Sequence, residues 1–456
     1  MESKGPLWPL LSDAPTDEDL GRCVHCGLCV NACPTYLITG LEVESPRGRI
    51  HMAKLLSEGR SEITPSIQNH WELCLQCRAC EAVCPSGVPY GRIQEHARAQ
   101  LDAAAPAQRG QRRVRKFVLR NVVARPRVLA LAVAPARWYA NSLLRKALRR
   151  SGLLRGRIRS MEAQLPRQVG APYRPLAGGG TVSAPKATLK GEHRPSPPGT
   201  LSRLPLVAGE GERVASTADG VLFTGCVMGE LFGNVHRATE RVYERAGIRL
   251  EASPGQGCCG ALHAHDGDLP FARRLARKNI KALEGTEGPI VVNSAGCGAA
   301  MKEYGDLLSK DKRWAARAAA FSARVKDASE LLGGLPAGRF DGAVTYQDAC
   351  HLVHAQRIRE QPRELLRAQE GLELVETTGA DVCCGAAGIY SLVQPEMSAQ
   401  LRARKAEQFA LVKPDVIVTA NPGCQMQYEA AVREAGLDAR VMHLMEVLDE
   451  ATRNSE

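Results

Sequence analysis

The sequence predicts an α + α/β chain: an all-helical module at the N-terminus, followed by two duplicated α/β domains. Three observations carry this. The 16 cysteines among the 456 residues form two groups of eight, from Cys23 to Cys84 and from Cys226 to Cys424. The first group is one spacing written twice, with helical patterning between the copies. In the second, Cys226, Cys258-Cys259-Gly260 and Cys297 recur as Cys350, Cys383-Cys384-Gly385 and Cys424, at offsets of 124, 125, 125 and 127. A repeat of that period is an internal duplication with small insertions.

Composition bounds the rest. Apolar residues make up 44% and charged residues 24% of the chain, which suits a globular protein and argues against a disordered chain, a collagen or a small disulfide scaffold. Net charge is +11, but the excess is local: 17 Lys or Arg lie between Arg109 and Arg167 against one acid, Glu162. A uniformly basic nucleic-acid binder is therefore not expected, and aromatics for base stacking are few, at 4%. The first residues hold Asp13, Asp17, Glu18 and Asp19 and no apolar run of signal length. The longest apolar run of the basic zone, Val128 to Ala136, is far short of the ~20 residues of a membrane span. The chain reads as cytoplasmic, where thiols stay reduced, so the cysteines need a role other than disulfides.

In chain order, residues 1–16 read as an N-terminal tail and 17–100 as the helical module. The module holds Cys23-x-x-Cys26-x-x-Cys29-x-x-x-Cys33-Pro34 and Cys74-x-x-Cys77-x-x-Cys80-x-x-x-Cys84-Pro85, the bacterial ferredoxin spacing for [4Fe–4S] clusters. Three thiolates in a curled loop each reach one iron, and the cysteine before proline serves the other cluster. That assigns Cys23, Cys26, Cys29 and Cys84 to the first cluster, and Cys74, Cys77, Cys80 and Cys33 to the second. Zinc ordinarily needs paired Cys-x-x-Cys ligands without the Cys-Pro ending. The interval between the motifs looks helical (Ile50 to Leu56, Ile67 to Trp71), which favours an all-helical two-cluster module over the β-hairpin type. Arg47 and Arg49, with His51, either place positive charge near a cluster or form a solvated helix start.

Residues 101–165 read as a basic amphipathic helical segment, with Val114, Phe117, Val118 and Val122 on one face and Arg112, Arg113, Lys116 and Arg120 elsewhere. Pro126 and Pro135 are expected to break it into short helices. It is predicted to dock, through Phe117, Val118, Leu129, Leu131, Trp138, Tyr139, Leu143 and Leu144, on an anionic bilayer or a partner subunit; the alternative is packing on the helical module with the basic face in solvent. The Pro/Gly-rich stretch 166–215 reads as a linker.

The two Cys-Cys-Gly domains are expected over 216–335 and 336–456. Apolar runs Gly220 to Phe223, Pro289 to Val292 and Asp415 to Val418 read as strands, and Phe271 to Leu283 and Met397 to Leu411 as helices. Each cysteine then follows a strand, at the carboxyl edge where open α/β sheets bind ligands. Gly260 and Gly385 allow torsions closed to other residues. Cys226, Cys258, Cys259, Cys297, Cys350, Cys383, Cys384 and Cys424 are predicted to hold at least one further iron–sulfur cluster, either one per repeat or one at the junction, because soft thiolates select such clusters, zinc or copper(I). Gly255 to Gly260 fits G-x-G-x-x-G, but the acid expected ~20 residues on is missing, and a dinucleotide site is not expected. His263, His265, His351 and His354 lie near the cysteines as ligands, proton carriers or plain structural residues.

These motifs resemble the iron–sulfur subunit of glycolate oxidase (glycolate dehydrogenase). The likeness lies in Cys23-Val24-His25-Cys26-Gly27, Cys33-Pro34-Thr35-Tyr36, Pro46-Arg47-Gly48-Arg49, Cys77-Arg78-x-Cys80-Glu81 and Cys84-Pro85-Ser86-Gly87. It continues through Gly257-Cys258-Cys259-Gly260-Ala261, Ser294-Ala295-Gly296-Cys297-Gly298, Lys302-Glu303-Tyr304-Gly305, His354-Ala355-Gln356, Cys383-Cys384-Gly385, Thr419-Ala420-Asn421 and Gly423-Cys424-Gln425. More distantly, the repeated Cys-Cys-Gly domain is similar to those of heterodisulfide reductase and lactate-utilisation iron–sulfur proteins. The resemblance implies an electron-transfer subunit, not catalytic alone and without its own flavin. Its partner would be an FAD-containing 2-hydroxy-acid dehydrogenase subunit, its acceptor a quinone or membrane chain, and its place the cytoplasm or the inner face of the cytoplasmic membrane. The alternative is a heterodisulfide-reductase-like catalytic subunit. Against it, Ala300 and Gln427 stand where that family typically has the second cysteine of a Cys-x-x-Cys.

Overall fold

The computed structural model describes residues 7–104, 109–151, 162, 165–166, 169–174 and 218–453. The predicted linker lies almost wholly outside these residues.

From the N-terminus to residue 104 every described element is a helix or a 3-10 turn. Helix α1 (Asp17–Gly21) starts at Thr16, whose hydroxyl accepts from the Asp19 N–H. Helix α2 (Pro34–Thr39) begins at the proline after Cys33 and ends at Gly40, which is left-handed. Helices α3 (Pro46–Ser57) and α4 (Pro65–Glu72) repeat one device: Ser45 and Thr64 cap the helix and proline holds its first turn. The short α5 (Ala79–Ala82) lies inside the second cysteine motif, and α6 (Tyr90–Ala104) closes the module. One core joins them, with Trp71 and Leu56 fully buried beside Ile50, Ile93 and Leu101. Residues 7–16, expected as a tail, belong to it: Trp8 stacks on Trp71 at 5.9 Å between ring centroids, and Asp13 takes both guanidinium nitrogens of Arg273.

The basic segment folds as α7 (Arg109–Val118), a π turn over Leu119–Val123, α8 (Pro126–Ala140) and α9 (Leu143–Arg150). Two expectations are corrected here. Pro126 starts a helix, but Pro135 lies inside unbroken α8; it is exposed, so the carbonyl it leaves without an N–H one turn back can meet water. The alternative with the basic face in solvent is also overturned. Four of the segment's arginines face inward onto acids of the neighbouring modules: Arg112 on Glu72, Arg115 on Asp266, Arg120 on Asp268 and Arg137 on Glu230. Its apolar side chains face out, with Phe117 63%, Leu131 76% and Trp138 66% exposed. Leu119 and Leu129 are buried instead, Leu129 against Cys226 and Cys258. Burying each carboxylate required a cation more than burying the stripe required a cover.

Each repeat is a four-stranded parallel sheet with helices between its strands. In the first, β1 (Gly220–Leu222), β2 (Leu250–Glu251), β3 (Ile290–Val292) and β4 (Val325–Asp327) stand in the order β2-β1-β3-β4. In the second, β5 (Arg339–Tyr346), β6 (Glu370–Leu374), β7 (Val416–Thr419) and β8 (Arg440–His443) stand in the order β6-β5-β7-β8. Identical order confirms the duplication as structure. Side chains alternate across the strands: Val221 and Ile290 enter one core, while Leu222 and Val291 enter another shared with Val344, Tyr346, Val416 and Val418 of the second sheet. The C-terminal helix Leu444–Arg453 completes that shared core against Gly233–Arg245 of the first repeat.

Candidate metal centres

All sixteen cysteines are free thiols. The two N-terminal motifs curl alike. His25 and Gly27 in the first, and Gln76 and Arg78 in the second, carry positive φ, a region disfavoured for three of these four residue types. At Gly27 an added Cβ would stand 2.7 Å from the Arg47 guanidinium. The curl gathers Cys23, Cys26, Cys29 and Cys84 around one cavity, whose wall also includes Cys80, Arg47 and Tyr90. Cys33, Cys74, Cys77 and Cys80 line an adjoining cavity with Arg49, Arg78 and Tyr90. Pro46, Cys80 and Tyr90 are common to both.

The three basic residues near these motifs differ in role. Arg47 donates to the His25 carbonyl at 3.2 Å and pairs with Glu42. Arg49 is 2% exposed and bonded to the Glu44 carboxylate at 2.5 Å, the Glu44 carbonyl and Thr35, whose hydroxyl lies 3.2 Å from the Cys33 sulfur. Burial works against its charge, but Tyr90, Cys74, Cys33 and Glu44 outweigh it and raise its pKa. His51 is exposed and meets His25 edge-on. For Arg49 the solvated helix start is thus overturned, whereas Arg47 stays partly exposed.

In the duplicated half every cysteine lies beyond the carboxyl end of a strand. Strand order places Cys226 after β1 and Cys297 after β3, on either side of the point where the sheet order reverses, which is where open α/β sheets bind ligands. Cys350 and Cys424 repeat this beside β5 and β7. Cys297 and Cys424 lie in the first turns of helices Ala295–Lys302 and Pro422–Glu434, not in loops, because Ser294 and Asn421 start those helices directly after the strands. Thiol contacts run Cys226–Cys258–Cys259–Cys297 in one repeat and Cys350–Cys383–Cys384–Cys424 in the other. Gly260 and Gly385 have φ of +93° and +86°. What a Cβ would meet there is the following helix, at Ala272 and at Ser398 and Leu401.

The electrostatics suit a cationic guest. Burial pushes Cys29 up to about 11; burial and then Cys350 push Cys77 higher, and burial with Cys77 and Cys74 does the same for Cys80. Cys226 and Cys383 are raised first by thiol neighbours and then by burial, while Cys258 and Cys384 are held as thiolates by adjacent S–H donors. Several buried thiolates together need metal charge to coexist. Among the described residues, no three or more His, Cys, Asp or Glu are spaced to hold a single metal ion. An iron–sulfur cube asks for something else, since each thiolate takes its own iron.

The modules touch through these sets. Leu75, Cys77 and Ala79 form one buried cluster with Cys383, Tyr390, Met397 and Leu401, with Cys350 at its edge. Tyr390 donates to the Leu73 carbonyl at 2.8 Å, and Arg78 pairs with both Glu81 and Glu303. Of the histidines, His263 is buried beside Cys258 and 3.9 Å from Asp268, and His265 pairs with Glu95 at 2.9 Å. His351 lies 3.5 Å from the Cys350 sulfur, and His354 bonds the Asp381 carbonyl at 3.0 Å. Sequence reasoning missed Glu95, Glu303, Tyr390 and Lys405. Glu303 had a signal in the Lys302-Glu303-Tyr304-Gly305 motif, and Lys405 as a lysine between Leu401 and Phe409 on the apolar face of a helix.

Comparison with known proteins agrees with this division. The 4Fe-4S dicluster domain model matches residues 19–88. The cysteine-rich domain model matches 221–302 and again 344–429, and the model of the linker region of the glycolate oxidase iron-sulfur subunit matches 110–165. The chain is similar to the probable glycolate oxidase iron-sulfur subunit of Bacillus subtilis, at 37% identity over 448 residues, 95% of this chain and 94% of the relative. It is similar to the glycolate oxidase iron-sulfur subunit of Escherichia coli at 34% identity over 444 residues, 95% of each. Lactate utilization protein A of Oceanobacillus iheyensis is 29% identical over 233 residues, 50% of this chain and 95% of that protein.

Proposed function

The chain belongs to the family of glycolate oxidase iron–sulfur subunits, and from that premise we infer that it carries electrons away from a separate flavin subunit that oxidises glycolate. It is not catalytic alone. The observation that carries this reading is the succession of thiol sets: two cavities sharing Cys80 and Tyr90, the second backed directly onto Cys383 and Cys350 of the second repeat. Iron–sulfur clusters held there supply one-electron carriers whose potentials the protein tunes by charge, hydrogen bonds and burial.

The chain's own residues would do the following. Cys23, Cys26, Cys29 and Cys84 hold the first [4Fe–4S] cluster, and Cys74, Cys77, Cys80 and Cys33 the second, with Arg47 and Arg49 supplying positive charge to each cavity wall. Each repeat holds one further cluster through its own four cysteines, a reading supported by thiol contacts that stay within a repeat. Disulfide reduction of the heterodisulfide-reductase type is less well supported, because buried Gln427 is committed to Ser398 and offers no fifth thiolate. The flavin subunit is FAD-containing, and the acceptor is a quinone or membrane chain reached at the inner face of the cytoplasmic membrane. The outward stripe of α7 to α9 is the docking face; no helix among the described residues is long and apolar enough to cross a membrane.

Anaerobic iron and acid-labile sulfide analysis tests the ligand sets. Two cubes account for about eight irons and two more for about sixteen. Changing Cys258, Cys259, Cys383 and Cys384 to Ser should lower the count toward eight. A wild-type count of about eight, unaltered by those changes, rejects clusters in the repeats. Clusters that stay oxidised with the flavin subunit and glycolate present reject the electron-carrier role.

A further inference from the structure

The two repeats match closely, which makes one difference between them informative. The helix Leu269–Leu283 of the first repeat and Pro395–Val412 of the second bury the same positions at an offset of 126: Ala272 and Ser398, Leu275 and Leu401, Leu283 and Phe409. Each also closes on the glycine after its cysteine pair, Ala272 on Gly260 and Ser398 on Gly385. At the corresponding position the first repeat has Asn279 and the second has Lys405.

Asn279 is neutral and fully satisfied. It accepts from the Gly257 N–H at 3.0 Å and donates to the Cys258 carbonyl at 2.9 Å and to Tyr304. Lys405 is 2% exposed, and its Nζ lies within hydrogen-bond distance of three acceptors: Gln347 Oε1 at 2.9 Å, the Gly379 carbonyl at 2.8 Å and the Ala380 carbonyl at 3.1 Å. Three acceptors use three protons, which only the ammonium form possesses. None of them is charged. The carboxylate whose charge reaches it, Asp348, is held by Arg363 at 2.9 and 2.8 Å. A buried ammonium without its own counter-ion is costly, so an anion is expected nearby. Its neighbours supply one: Gly379 and Ala380 lead into Cys383-Cys384, and the Tyr428 ring, one turn from Cys424, has its centroid 6.0 Å from Nζ. Burial lowers the Lys405 pKa, and the charges of Cys384, Cys383 and Cys424 work against that.

We propose that Lys405 is a fixed positive charge that makes the iron–sulfur cluster held by Cys350, Cys383, Cys384 and Cys424 the more easily reduced of the two repeat clusters. The proposal rests on the reading that each repeat holds a cluster. A nearby cation stabilises the state with one more electron, so it raises the potential of the site it faces. Among the described residues of the first repeat, no buried lysine or arginine occupies the equivalent position. His263 lies by Cys258, but Asp268 stands 3.9 Å away and is shared with Arg120. Lys278 reaches the Gly257 loop from an exposed position, where water and salt screen it. The electron therefore rests in the second repeat, the one that also abuts Cys77. Lys405 is a positioning residue for charge and touches no substrate.

The test is a redox titration of the full chain, reconstituted anaerobically and followed by electron paramagnetic resonance, for wild type, Lys405→Met, Lys405→Gln and Lys405→Arg. Removing the charge should lower one repeat-cluster potential by at least tenfold in its reduction equilibrium, about 59 mV for one electron, with the other potentials unmoved and the Arg variant near wild type. Loss of about four irons from the Met and Gln variants, but not from Arg, supports the same role. Full iron content with unmoved potentials overturns it, as does an equal change in all three variants. A wild-type count of about eight irons rejects the underlying cluster reading, and is seen in the iron analysis before any potential is measured.

Discussion

His443, in the last strand of the second repeat, bonds through Nε2 to the main-chain carbonyl of Asn293 in the first at 2.9 Å. The Asn293 side chain in turn donates to His236 Nδ1 at 3.0 Å, and His236 Nε2 bonds the Thr224 carbonyl at 3.0 Å. His443 Nδ1 accepts from the Met445 N–H at 3.1 Å. Both rings are thus assigned by their partners as neutral Nε2–H tautomers. A second proton on either has only an N–H donor to face. The seam between the repeats depends on two uncharged histidines.

Acid should therefore open this seam. Burial holds His236 down at about 3 and His443 at about 4, whereas unfolded histidines titrate near 6.5. Between pH 6.5 and about 4 the unfolded chain binds more protons, so stability is lost as pH falls through that window, by roughly 3 kcal/mol for His443. Denaturant midpoints measured from pH 7 to 4.5 should decline in wild type and decline less in His443→Gln. An equal slope in both would remove the histidine from the explanation.

The basic segment separates two kinds of mutation. Arg112, 3% exposed, bonds Glu72 at 3.1 and 3.0 Å and the Leu101 carbonyl at 2.8 Å. Arg112→Glu should destabilise the fold by on the order of 3–5 kcal/mol. The triple change Phe117→Ser, Leu131→Ser, Trp138→Ser removes exposed groups only, and should leave thermal unfolding within a degree or two. It should abolish co-sedimentation with phosphatidylglycerol vesicles, to which exposed Arg113, Arg125 and Arg127 also contribute. Vesicle binding that survives the triple change would place the membrane contact elsewhere.

Arg49 and Glu44 form a buried pair beside Cys33. Arg49→Met leaves the Glu44 carboxylate with only His70, at 2.6 Å, and is expected to cost about 3–5 kcal/mol. Arg49→Lys keeps the charge but loses the fork that reaches His70, Thr35 and Glu44 together. Iron retention after gel filtration should fall in the order wild type, Lys, Met. Full retention in the Met variant would show that the guanidinium does not support the second cysteine set.

Gly267 joins the helical module to the first repeat. Its φ is +78°, and a Cβ there would lie 2.6 Å from the Arg98 main chain. Gly267→Ala carries the left-handed penalty of about 1–2 kcal/mol and must also push α6 away. Hydrogen exchange should rise on both sides of this contact, at residues 95–101 and 262–270. Protection unchanged at both would mean that the backbones are not in contact in solution.

Much of the fold and the candidate site was legible because cysteine spacing and short-period apolar patterning are local. The two motifs, the duplication, the strands at Val221, Ile290 and Ile417 and the helix behind Phe271 all follow from such spacing. Each curled loop brings three of its own cysteines together, while Cys84 and Cys33 cross to the other motif's cavity. At α7 to α9 periodicity identified the two faces but not what answers the arginines, because the acids that pair with them (Glu72, Asp266, Asp268, Glu230) lie far away in the chain.

The sequence by itself determined the module order, the two curled cysteine motifs and the duplication that puts one quartet in each repeat. Each follows from spacing read along the chain: the motifs lie within one loop apiece, and the quartets recur at a nearly constant offset. Only the tertiary structure decided that Trp8 completes the first core, that Cys77 backs onto Cys383, that His443 and His236 meet through Asn293, and that Lys405 stands where the other repeat has Asn279. These are contacts between segments that local patterning does not relate. Desolvation settles them: a buried charge or polar ring must find its partner wherever in the chain that partner lies.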